Sequence, residues 1–216
     1  MALHQLKYPY RTILKPMAQK ISFIHPDVFS WCAFVVTFLT GCCFYAGWNN
    51  PKLFIVAAIL IFVRMTLNTL DGVVAIERGD DAKTHGKIIN ALPDRYGDLF
   101  VVGGILLSPI VNTLIGLLGL GTMFLVSYSG MLSKALGFTW QGHGPLDKVE
   151  RLCLLIITAL AQWYGCTHSL TTIQVANYNL SFLEICMILF FVLGQITVLR
   201  RTFALVKEAK AKEENE

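Results

Sequence analysis

Six predominantly apolar runs restrict what this chain can fold into more than any other feature, because each approaches the roughly 20 residues, at 1.5 Å apiece, that cross a bilayer's hydrocarbon core. They lie at Val28–Trp48, Leu53–Ala75, Ile88–Leu107, Ile110–Ser133, Val149–Tyr164 and Leu180–Val198. They predict an all-α integral membrane bundle of six transmembrane helices, with the third and fourth joined in a tight hairpin at Ser108-Pro109. Composition agrees. Only 15% of the 216 residues are charged and 55% are hydrophobic, with a mean hydropathy of +0.58. A soluble domain carries about 25% charged residues.

The distribution of lysine and arginine sets the expected orientation. Lys7, Arg11, Lys15 and Lys20 precede the first run, Arg78, Lys83 and Lys87 follow the second, Lys134 and Lys148 separate the fourth and fifth, and Arg200, Arg201, Lys207, Lys210 and Lys212 follow the sixth. The alternate connections hold only Lys52. Six spans with both termini cytoplasmic, in a bacterial inner membrane, fit this pattern. The net charge of +4 is therefore a topology signal, reinforced by anionic head groups, and no basic water-exposed domain invites nucleic acid. The N-terminus lacks a short apolar core followed by a small-residue cleavage site, so no signal peptide is expected. Cys32, Cys42, Cys43, Cys153 and Cys186 fall within the runs and only Cys166 in a loop, a spacing that predicts neither disulfides nor zinc.

One membrane domain, residues 1–206, accounts for nearly the whole chain, with a short, frayed, charged cytoplasmic tail expected at 207–216. Within the domain, residues 1–24 form a juxtamembrane segment in which Leu6, Tyr10, Ile13, Leu14 and Met17 oppose basic residues, the pattern of a helix lying along the membrane surface. Pro9 and Pro16 are expected to bend or interrupt it, and Asp27 or Ser30 to cap the first span.

Ionisable residues inside spans are costly and are functional candidates by default. On the second run Arg64, Asn68, Asp71, Ala75 and Arg78 recur every three or four residues and share a helical face; on the third, Asn90, Asp94 and Asp98 form another stripe. A short connection makes these helices antiparallel neighbours with facing stripes. The converging oxygen donors suit a hard divalent cation, since magnesium takes a few carboxylates, waters and substrate phosphates. Gly72 and Gly86 leave room for a ligand, and Pro93 frees a carbonyl one turn before it.

The stretch Asn68-Thr-Leu-Asp71-Gly72-Val-Val-Ala75 through Gly86-Lys-Ile-Ile-Asn90-Ala-Leu-Pro-Asp94 resembles the signature of the CDP-alcohol phosphotransferase family, D-x2-D-G-x2-A-R-x8-G-x3-D-x3-D. Asp71, Gly72, Ala75, Gly86 and Asp94 match it. Asn68 and Asn90 replace two aspartates, Ile76 replaces the arginine, and the spacing to Gly86 is one residue longer. A branch of the family with asparagine at both positions is similar, with a further acid where Asp98 stands and a later G-P-x-G-K-x-x-R segment. Gly144-Pro-Leu-Asp147-Lys148-Val-Glu-Arg151 corresponds to that segment, with Asp147 in place of the glycine.

The resemblance implies a membrane-embedded transferase of phospholipid biosynthesis. It would move a phosphatidyl group from a CDP-lipid such as CDP-diacylglycerol to the hydroxyl of a small polar alcohol, releasing CMP. Asp71 and Asp94 would be catalytic, Asp94 as the base. Asn68, Asp71, Asn90, Asp94 and Asp98 would hold Mg2+ or Mn2+; Gly72, Ala75, Arg78 and Gly86 would bind the nucleotide; and Arg64, Lys148 and Arg151 would meet an acceptor or lipid phosphate. Gly116-x2-Gly119-x-Gly121 marks close helix packing, within the chain or at a homodimer seam as in the family. Two rival readings are a degenerate member that binds nucleotide or lipid without turnover and a small ion-coupled transporter. The acids also have a structural reading, as partners of Arg64 or Arg95.

Overall fold

The computed structural model describes residues 7–79, 84–139, 142, 144–175 and 178–214, with side chains described except at 7–9, 84–91 and 175. Its helices are α1 Lys7–Lys20, α2 Pro26–Ala46, α3 Lys52–Glu77, α4 Thr84–Leu106, α5 Thr113–Ala135, α6 Lys148–Thr167 and α7 Phe182–Glu213. Helices suit an apolar medium because they satisfy their own backbone groups. Five of them, α2, α3, α5, α6 and α7, are long and apolar enough to cross a membrane, and the chain is an integral membrane protein. The expected third span, Ile88–Leu107, falls on α4.

The helix ends show where local chemistry overrides hydropathy. α2 starts at Pro26, which lacks an N–H and so suits the first helical position, and the His25 ring, not Asp27 or Ser30, accepts the N–H of Asp27. α1 runs unbroken through Pro16, whose missing bond lies on its exposed face. The sixth run starts two residues later than its apolar edge at Leu180. Thr172–Val175 and Tyr178–Ser181 form an antiparallel hairpin, and Ser181 with Glu184 then makes a reciprocal capping box for α7. That hairpin is the one departure from an all-helical chain among the described residues. α7 continues to Glu213 instead of fraying after 206: its end is rich in Ala, Lys and Glu, and Glu208 accepts from the Thr139 N–H at 2.9 Å.

The closest pairings run α2–α3, α3–α6, α6–α7, α7–α5, α5–α4 and α4–α2, so six helices form a closed ring, with α1 outside against α3. The described parts of α3 and α4 make almost no direct backbone contact, contrary to the expectation from their short connection. α2 stands between them. A Cβ on Gly104 would overlap the Gly41 backbone, and one on Gly41 the Phe100 carbonyl, so only glycines allow α2 and α4 to come this close. Gly116 and Gly119 lie against Leu106 and Met187 of the same chain, whereas Gly121 faces open space.

One end of the ring is filled by Phe54, Ile61, Ile105, Met123, Leu155 and Phe190, all fully or almost fully buried. The other end is filled by charge.

Candidate active site

The charged layer is built from four helices and centres on two carboxylates of α4. From α3, the buried Arg64 guanidinium crosses the gap left between α3 and α4, lying 3.8 Å from Asp94 Oδ1 and 3.6 Å from Asp98 Oδ1. Gly97 makes this crossing possible, because any side chain there would meet the guanidinium. One turn along α3, Asn68 Nδ2 lies 3.5 Å from Asp94 Oδ1. From α6, Lys148 Nζ donates to Asp94 Oδ2 at 2.5 Å and Arg151 Nη1 to Asp98 Oδ2 at 3.0 Å. Arg95 approaches Asp98 Oδ2 at 3.4 Å and is hydrogen-bonded to Ser127 of α5. From α7, Arg201 donates to the Val126 carbonyl at 2.7 Å and lies 3.4 Å from Asp147 Oδ1.

Removing two carboxylates from water is tolerable only with such partners, and each here has several. Their environments differ. Asp98 is buried among three guanidiniums, Arg64, Arg95 and Arg151. Asp94 is less enclosed and lines a pocket with Ser30, Ala33, Phe34, Thr37, Arg64, Asn68 and Pro93, between α2, α3 and α4. Asp71, one turn beyond Asn68, is buried, and its Oδ2 accepts from Ser30 Oγ at 2.7 Å.

Ala75 and Gly72 are half-buried beyond Asp71 on α3, while Ile76 is exposed. Arg78 is exposed and donates to the Ser22 carbonyl at 2.7 Å, toward the α1–α2 connection and away from the ring. Gly86 and Asn90 lie on the backbone of α4, and the side chain of Asn90 falls outside the described residues, as do Asp80, Asp81, Lys83 and His143 entirely and the side chain of His85.

No cluster of three or more His, Cys, Asp or Glu able to hold a metal occurs among the described residues. The donors present are hard oxygens, from the Asp71 and Asp94 carboxylates and the Asn68 amide. That set fits magnesium or manganese completed by water and phosphate oxygens, and not a soft or fully caged ion. Sequence spacing missed Ser30, which pairs with Asp71, and Arg201, which reads as part of the basic flank after the last span. Neither carries a local signal, because both meet their partners only through the ring.

Residues across most of this chain align with known proteins. It is 27% identical over 163 residues to inner membrane protein YnbA of Escherichia coli, covering 74% of this chain and 80% of that protein. It is 27% identical over 159 residues to archaetidylinositol phosphate synthase of Methanothermobacter thermautotrophicus, covering 74% and 77%. No family model matches the chain. Among solved structures, Mycobacterium tuberculosis phosphatidylinositol phosphate synthase with CDP-DAG bound superposes with a TM-score of 0.71 at 21% identity, over 90% of this chain and 94% of that one. The chain has the fold of a phosphatidylinositol phosphate synthase. The same enzyme in complex with manganese and citrate gives a TM-score of 0.69, over 88% of each chain. In this chain, that synthase fold brings Arg64, Asp94, Asp98, Lys148, Arg151 and Arg201 to one end of the ring.

Proposed function

We propose that the chain is a CDP-alcohol phosphotransferase of the inner membrane, transferring a phosphatidyl group from CDP-diacylglycerol or a similar CDP-lipid to a small polar alcohol. The observation that carries this reading is the buried charged layer, in which Asp94 lines a pocket beside Asn68 and Arg64 on a motif-bearing pair of helices. The reading draws support from a relative named as an archaetidylinositol phosphate synthase and from a shared fold whose solved example holds CDP-DAG. The same likeness favours a transferase over a transporter.

In this mechanism Asp94 takes the proton of the acceptor hydroxyl. The freed oxygen attacks the lipid-linked phosphorus, the P–O bond to the bridging oxygen breaks, and CMP leaves with that oxygen. Asp71 and Asp94, with Asn68 and Asn90, would hold Mg2+ or Mn2+, which when bound offsets charge building on the diphosphate. Lys148 and Arg151 meet the acceptor or its phosphate, with Arg64 behind them. Asp98 acts mainly by fixing Arg64, Arg95 and Arg151. The deciding assay supplies purified protein with CDP-diacylglycerol, magnesium or manganese and a panel of alcohols, and follows CMP. Metal-dependent CMP release is expected. CDP binding without any release would instead favour the degenerate reading, which Ile76 and the two asparagines motivate.

The proposed topology has α2 to α7 spanning the bilayer, α1 at its cytoplasmic surface and both termini cytoplasmic. In a cysteine-free background, a cysteine at Leu136 should react with an impermeant maleimide only from the cytoplasmic side and one at Thr171 only from the other. Labelling of both from one side would remove the orientation.

The asparagines predict a weak metal site. Unit charges about 4 Å apart at an effective dielectric near 20 interact by about 4 kcal/mol, partly offset here by repulsion from Asp94. Asn68→Asp with Asn90→Asp should therefore tighten manganese binding by about tenfold or more in a calorimetric titration without substrate. An unchanged affinity would mean that these side chains do not face the ion.

A further inference from the structure

Beyond the ring, α1 brings one more cation to the motif. α1 is seated on α3 by Tyr10, whose hydroxyl lies 2.7 Å from Thr66 Oγ1, by the Lys15–Glu77 ion pair at 3.7 Å, and by Leu14 and Ala18 buried with Leu70, Val73 and Val74. This seating carries Arg11 over Gly72. Apart from the surrounding backbone of α3 itself, its Nη2 is the only described atom within 4 Å of where a Gly72 side chain would begin, at 3.5 Å. The preceding residue, Asp71, accepts from Ser30 of α2 through its Oδ2, so a carboxylate and a guanidinium both stand beside the glycine.

Arg11 stands apart from the other cations near this end of α3. Lys15 is paired with Glu77, and Arg78 is bonded to the Ser22 carbonyl. Arg11 has no ion pair or hydrogen bond among the described residues, and its Nε is buried without an acceptor. A guanidinium stays charged at any accessible pH, so a buried N–H of this kind calls for an anionic oxygen from outside the protein. Its planar fork matches phosphate, and Gly72 leaves the space beneath it clear.

We propose that Arg11 binds the diphosphate of the CDP donor, closing the nucleotide groove from the surface helix. The motif resemblance places an arginine where this chain has the exposed Ile76; Arg11 supplies a guanidinium to the same stretch of α3 from another helix. This inference rests on the transferase reading above.

The test is calorimetric titration of CDP, with manganese, into protein held in phosphatidylcholine nanodiscs. Arg11→Gln should weaken CDP binding by about tenfold or more, the scale of a lost charged hydrogen bond, with little change in melting temperature because no protein hydrogen bond or ion pair is lost. Arg11→Lys should retain part of the affinity, and Lys15→Gln all of it. Arg11→Gln binding CDP like the parent would overturn this role while leaving the transferase reading intact. Absence of CDP binding by the parent would remove both. An equal loss in Lys15→Gln would assign the effect to the seating of α1. A loss appearing only when phosphatidylglycerol is added would give Arg11 to a bulk lipid head group. Either result overturns the proposal.

Discussion

Exchanging Asp94 for asparagine should lower CMP release by roughly a thousandfold or more while the protein still inserts and purifies as a single species. The substitution removes the proton acceptor and a full negative charge from a partly desolvated site, where a unit charge about 4 Å away is worth about 4 kcal/mol. It leaves Lys148, which is 34% exposed in its side chain and can turn toward water, and Arg64, which keeps Asp98 at 3.6 Å. The fold should therefore survive. Asp71→Asn should be comparably inactive with its fold retained, since Ser30 can still donate to the amide oxygen. Asp98→Asn should behave differently: three guanidiniums lose their shared acceptor, so melting temperature should fall along with activity. Full CMP release by the Asp94 variant would end its assignment as base and leave the structural pairing with Arg64.

Gly104→Leu should cost about 3 kcal/mol or more, the upper range for overpacking, and leave little folded protein in detergent. Its new Cβ would overlap the Gly41 backbone, which no side-chain rotation relieves, so α2 and α4 would have to part. Because α2 also carries Ser30 to Asp71, a milder Gly104→Ala should lower both melting temperature and activity. Gly121→Leu is the control: nothing lies within 4 Å of its Cβ position, and its melting curve should match the parent's. Equal stability of Gly104→Leu and the parent would mean that the two helices do not touch there.

Much of this architecture is legible in the sequence because span length and apolarity are local properties. The six runs fall on α2 to α7, and α1 shows in the opposition of Tyr10 and Leu14 to basic residues. Polar stripes are also local, so Arg64, Asn68, Asp71, Asp94 and Asp98 can be named in advance. Their partners cannot. A short connection implies that α3 and α4 are packed together, but the Gly41–Gly104 contact draws α4 to α2, and long side chains bridge the resulting gap. The role of Asp98 depends on Arg151, 53 positions away, and the direction of Arg78 on the carbonyl of Ser22. The Thr172–Ser181 hairpin is hidden for a different reason: strands this short carry too few alternations to register against a loop.

The apolar plug at one end of the ring has a consequence for traffic. Phe54, Ile61, Ile105, Met123, Leu155 and Phe190 pack into one buried apolar cluster, so among the described residues the charged layer is backed on that side by side chains that offer ions and water no partner. A soluble reactant of the proposed transfer would reach and leave the charged layer by the same end, and a lipid-linked one would come in between helices. On the proposed transferase reading, the soluble alcohol consumed and the CMP discarded would therefore share one compartment.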